Sequence, residues 1–181
     1  GMDSAKVSWT PDRQSTLTLA YVAASGHDAP DDDPWQDSWL AKFDQRGDEW
    51  AYALVVADTP DRPAFYGAFG QFTLSDAVMF YGEIGSSSVS PHLESSSAPS
   101  VPFVAKKNSP RETTTLIGAS YTFEDGTSLA AEYLHDGHGY TSAQEDAYYE
   151  RAAATHASAG LALGLQPRLL GRDYLHLVLQ S

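Results

Sequence analysis

The feature that most constrains this chain is a side-chain alternation with a period of two. Residues 15–24 read STLTLAYVAA, with Leu17, Leu19, Tyr21 and Ala23 on one side and Thr16, Thr18 and Ala20 on the other. Successive β side chains point to opposite faces, so a strand sorts such a run into one apolar and one polar face, and a helix does not. Residues 77–85 repeat the pattern, with Val78, Phe80, Gly82 and Ile84 against Met79, Tyr81 and Glu83. In 128–135, Leu129, Ala131 and Tyr133 oppose Ala130, Glu132 and Leu134. In 173–180, Leu175, Leu177 and Leu179 oppose Tyr174, His176, Val178 and Gln180. Runs 50–57, 64–72 and 114–123 fit the same template, and 6–9 reads as the tail of another strand. The pattern predicts an all-β, antiparallel up-and-down fold of about eight strands.

The connections are of two kinds. Asp125-Gly126 sits between two alternating runs and reads as the central pair of a tight hairpin, since both positions tolerate positive φ. Thr73-Leu74-Ser75-Asp76 is a second short turn. Thr10-Pro11-Asp12-Arg13 and Thr59-Pro60-Asp61-Arg62 repeat one turn phrase with proline fixing φ. Residues 25–49, 86–112 and 136–172 read as long polar loops, and this strand list puts 25–49 and 86–112 at opposite ends. Either a strand hides inside a loop or a short turn lies among the long ones. One short helix is expected in the last loop, opened by a capping box at Ser142 and Glu145, running through an Ala-rich stretch to Ala159 and stopped by Gly160.

Charge and composition narrow the function classes. The net charge of −13 and the scattered basic residues, paired only at Lys106-Lys107, argue against nucleic-acid binding. The absence of cysteine removes disulfides, thiolate zinc sites and a cysteine nucleophile. No apolar run is long enough for a membrane helix. Strands that cross a membrane alternate, so their mean hydropathy stays low, and the value of −0.34 fits such a wall as well as a soluble sheet. Gly1-Met2 reads as an expression scar ahead of a single domain or barrel segment spanning 1–181.

The two faces fit a membrane wall, and they fit a soluble β-sandwich about equally well, since a sandwich also alternates and aromatics also cap ordinary sheets. The apolar faces carry Leu, Val, Ile, Phe and Tyr with almost no charge, as lipid contact requires. The opposite faces hold Thr, Ser, Gly, Ala and an occasional Glu, as a wet or packed lumen allows. Trp9, Trp50, Tyr52, Phe65, Phe72, Phe123 and Tyr174 crowd the strand ends, where amphipathic rings sit at a membrane interface. The stretch 114–140, with its GASYTF and EYLHDG phrases, resembles the strand–turn–strand unit of Gram-negative outer-membrane barrels of the porin type. So do FTLSDAVMFYGEIGSSS at 72–88 and LGRDYLHLVLQS at 170–181. The resemblance implies a transmembrane β-barrel in the bacterial outer membrane, acting as a pore or structural wall in contact with membrane lipid and small solutes or cations. The chain lacks the terminal aromatic of such barrels and starts within a strand, which suggests a segment of a longer barrel or a barrel trimmed at its ends.

Five residues on the polar faces are the expected lumen lining: Tyr81, Glu83, Glu132, His176 and Gln180. Glu83 and Glu132 could also form a carboxylate pair for acid–base work on a glycoside; the plainer reading is a pair of lumen charges. His135-Asp136-Gly137-His138 could contribute to a metal site, but it has no third ligand at a recognised spacing and reads more simply as a solvated loop mouth. Asp28 and Asp31 to Asp33 lack the ligand spacing of an EF-hand and read as a solvated acidic loop. There is no Gly-x-Ser-x-Gly elbow and no Walker loop, so no enzyme and no cofactor are expected. Two rival readings stand beside the pore: a soluble β-barrel or sandwich binding a small apolar ligand, and an outer-membrane hydrolase.

Overall fold

The computed structural model describes residues 3–23, 37–60, 62–88, 93–95, 103–105, 110–154 and 171–180. In chain order the elements are β1 (Asp3–Trp9), β2 (Ser15–Ala23), β3 (Ser38–Arg46), β4 (Trp50–Thr59), β5 (Arg62–Ser75), β6 (Val78–Ser87), β7 (Leu93–Ser95), β8 (Phe103–Ala105), β9 (Glu112–Thr122), β10 (Ser128–Asp136), α1 (Ser142–Ala154) and β11 (Asp173–Gln180). Nine of the strands form one antiparallel up-and-down sheet in the order β1-β2-β3-β4-β5-β6-β9-β10-β11. β7 and β8 pair as a separate small hairpin between β6 and β9. The large sheet is open, with β1 and β11 at its two edges.

The strand count differs from the sequence expectation, and the reason is local. β3 lies inside what reads as the loop 25–49. Its sequence SWLAKFDQR carries three charges among nine residues, all on the polar side, and puts Gln45 on the apolar side, so it reads as polar loop, yet its register is complete. Lys42 pairs with Asp44 at 2.7 Å, two residues along the same face, so the charges offset each other there. Adding β3 resolves the conflict over the ends. The connections after β2, β6 and β10 now leave from one end of the sheet, and those after β1, β3, β5 and β9 from the other. The short β4–β5 turn is the exception, lying at the end of the long connections.

The turns are built by side chains that cap backbone N–H groups. The Asp12 carboxylate accepts from the N–H of Gln14 at 2.8 Å and of Ser15 at 2.7 Å. These bonds, the Gln14 one first, hold its carboxyl below the usual range. The Ser75 hydroxyl accepts from the N–H groups of Ala77 and Val78. The β9–β10 hairpin corrects the expected two-residue turn. Its bonds run from Gly126 N–H to Phe123 C=O and from Phe123 N–H to Thr127 C=O, so Glu124 and Asp125 are central. Gly126 follows them at φ 86°, the left-handed position that closes a three-residue loop.

The helix also starts one residue earlier in its cap than its sequence suggests. Thr141, not Ser142, is the capping residue. The Gln144 side-chain oxygen accepts from the Thr141 N–H at 2.9 Å, and the Thr141 hydroxyl lies 3.4 Å from the Gln144 N–H. Ala159 and Gly160 lie outside the described residues. Tyr140 and Tyr148, with ring centroids 5.7 Å apart, are the buried apolar side chains among the described residues, and both belong to this connection rather than to the sheet. Burial pushes the Tyr148 hydroxyl up.

Candidate functional site

Cross-strand partners share a face, so the register sorts the whole sheet into two sides. One row runs Trp9, Leu17, Phe43, Leu54, Ala68, Ile84, Thr115, His135, Asp173. It begins beside a short turn and ends at the opposite end of the sheet, the stagger that a tilted, coiled sheet carries. The side containing this row is predominantly apolar, with Gln45, Asp58, Thr115, His135 and Asp173 among its polar members. Trp9, Trp50, Tyr52, Phe72, Phe80 and Tyr121 stand toward the short-turn end, and Tyr21, Trp39, Tyr66 and Tyr133 toward the other. Val7, Leu19, Leu54, Ile117 and Leu177 lie in the band between. Of the exposed large hydrophobics, Phe65 and Val178 lie on the other side, Leu74 sits at the β5–β6 register shift, and Phe123 and Tyr149 lie outside the sheet; the rest are on this side. Phe65 and Tyr174, two of the strand-end aromatics, point to the other face.

The other side holds all five expected lumen residues, and three of them form one chain of contacts. Its central row is Gln71, Tyr81, Gly118, Glu132, His176. Gly118 lets the Tyr81 ring lie across β9. A Cβ at Gly118 would stand 2.5 Å from ring atoms Cε2 and Cζ, so no side chain fits there with the ring in place. Lying flat, the Tyr81 hydroxyl reaches two strands over and donates to Glu132 Oε1 at 2.6 Å. Glu132 Oε2 meets His176 Nδ1 at 3.1 Å. Both carboxylate oxygens of Glu132 are therefore engaged. Glu83 stands one step along β6 from this row, between Phe69 and Leu116, with no hydrogen bond or ion pair among the described residues. Gln180 shares the face at the far end of β11, four residues from His176.

The structure does not assemble the carboxylate pair considered for acid–base work. Two strand spacings and two residues separate the Glu83 and Glu132 backbones, about 12 Å, and Glu132 is turned toward His176 instead. The two histidines of the 135–138 loop mouth also part company. His135 Nδ1 contacts Asp173 at 2.8 Å, an oxygen that the Tyr133 hydroxyl shares at 2.6 Å, whereas His138 Nε2 lies 3.1 Å from the Ser87 carbonyl. No group of three or more potential metal-ligating His, Cys, Asp or Glu occurs among the described residues. Asp28 and Asp31 to Asp33 lie outside those residues.

Sequence reasoning passed over Gly118 and the Lys42–Asp44 pair. Glycine inside an alternating strand signals close approach of another group, and that signal was present at Gly118. It also passed over Arg111, whose guanidinium binds the carbonyls of Ser86 and Ala64 at 3.1 and 2.7 Å and lies 5.0 Å from the Tyr66 ring centre. No protein-family model matches this chain, and no curated protein or solved structure does either.

Proposed function

We propose that this chain is the wall of a bacterial outer-membrane β-barrel of the porin type, its apolar face against lipid and its polar face toward a lumen. The observation that carries the reading is the predominantly apolar face with aromatic residues toward both ends. Its charged members with described side chains, Asp58 and Asp173, lie at the end of the long connections. The exposed side chains on it amount to roughly 1,500 Å² of apolar surface, several times the largest patch on a typical soluble monomer. At about 25 cal/mol per Å², removing that surface from water is worth on the order of 40 kcal/mol. No second layer covers it among the described residues, since β7 and β8 are three residues each and α1 lies in the β10–β11 connection. Strand lengths of seven to fourteen residues bracket what a tilted membrane strand needs.

The function that follows is a pore or structural wall, with lumen charges Glu83 and Glu132 favouring cations over anions. The test is gel migration of the protein refolded in detergent and into lipid vesicles, with and without boiling, beside protein kept in plain buffer. The reading expects a compact, fast unboiled band that slows on boiling, co-flotation with vesicles, and aggregation in buffer alone. A soluble monomer in buffer that ignores vesicles and shows no heat shift would overturn it.

A further inference from the structure

The polar face is concave around Glu83, and we infer that this concavity is a binding site for a small organic cation with an apolar body. The inference deepens the lumen assignment above and rests on it for the site's setting. The concavity has a volume of about 490 Å³ and is lined by Lys42, Phe65, Phe69, Glu83, Leu116 and Leu134 among others. Its size falls within the range of small-molecule sites, which are mostly apolar with a few placed polar groups.

The two charges in the lining are not equivalent. Lys42 is paired with Asp44 at 2.7 Å, so its charge is partly offset within its own strand. Glu83 is exposed and has no such partner among the described residues. Its cross-strand neighbours on either side are Phe69 and Leu116, which offer no donor. A free carboxylate among apolar walls selects a ligand with one positive end. Phe69, directly opposite, can present a ring to the same cation. A hard metal ion fits poorly, because it wants six or more oxygen ligands and Glu83 supplies one carboxylate. An anion would meet the unpaired carboxylate of Glu83 and a lysine already engaged by Asp44.

The experiment uses 2-phenylethylammonium as probe, with 3-phenylpropionate and Mg²⁺ as comparisons, titrated by calorimetry into the full chain. The heat-modifiable gel shift is read on the same preparation. Saturable binding of the ammonium is expected, weakened about tenfold or more by Glu83→Gln and weakened by Phe69→Leu, with no binding of 3-phenylpropionate. Glu83→Gln keeps size and shape, and retention of the gel shift shows that the variant is folded. A heat-modifiable protein that does not bind the ammonium, that binds Mg²⁺ in its place, or whose Glu83→Gln variant binds it equally well overturns the site and leaves the membrane reading standing. Glu83-dependent binding by a protein soluble in plain buffer supports the site and overturns the membrane reading.

Discussion

Ile117→Lys tests the membrane face directly. Ile117 is 57% exposed on the apolar side, five residues from each end of β9. At about 3.4 Å per residue that is about 17 Å along the strand to either end, and about 13 Å in depth for a tilt near 40°. The apolar band of an outer-membrane barrel is about 25 Å tall, so Ile117 would stand at its midplane. A lysine there costs about 2 to 4 kcal/mol in lipid. In water the same change costs at most about 1 kcal/mol, because more than half of the residue is already exposed and the lysine stem keeps much of the remaining contact. The control is Ser120→Lys, three residues along β9 on the polar face. Urea titrations of each variant in lipid vesicles, followed by tryptophan fluorescence, give the two costs. Lipid contact requires Ile117→Lys to exceed Ser120→Lys by about 2 kcal/mol or more. Equal costs would refute the assignment of this face to lipid, whatever the fold.

Three further outcomes follow from the geometry. Gly118→Ala places a methyl group against the Tyr81 ring, so it should destabilise by about 1–3 kcal/mol in the same titration; a neutral result would mean that the ring does not lie across β9. The double reversal Glu83→Lys with Glu132→Lys should lower cation preference in planar-bilayer recordings, and unchanged reversal potentials would remove both residues from the conduction path. Asp12 titrates below its ordinary 3.8 in the folded chain, so its contribution is complete above that value and is lost as pH falls through the lowered one. The gap in urea midpoint between wild type and Asp12→Ala should therefore be constant near neutral pH and narrow below about pH 4; a gap independent of pH would exclude the carboxylate as the cap.

Much of the sheet was legible because the alternation is itself the physical cause of the two faces. The assignments of Val78, Phe80, Leu129 and Leu177 to one side, and of Tyr81, Glu132 and His176 to the other, hold in the structure. β3 was not legible, because Leu40 on its polar side and Gln45 on its apolar side blur the alternation, and Lys42, Asp44 and Arg46 give it a loop-like charge content, while backbone pairing stays intact. The caps were misplaced by one residue, since Thr141 and Ser142 are both good capping residues and only geometry chooses between them. The chain of contacts from Tyr81 to His176 could not be read at all. It depends on which residues of β6, β9, β10 and β11 fall in one row, and register between strands so far apart in sequence is set by the assembled sheet.

Register also fixes what any closure of this sheet must look like. β1 and β11 are first and ninth in a sheet whose neighbours all alternate in direction, so the two edges run the same way. A seam made by joining them would be parallel, whereas every pairing within the sheet is antiparallel. Two copies joined edge to edge around one axis meet the same obstacle at both seams. An antiparallel closure therefore takes an odd number of strands added between β11 and β1, which agrees with the even strand numbers of bacterial single-chain barrels. Those strands would carry the same alternation, because a polar residue on the apolar side next to Val7 or Leu177 would interrupt the face at its most exposed edges.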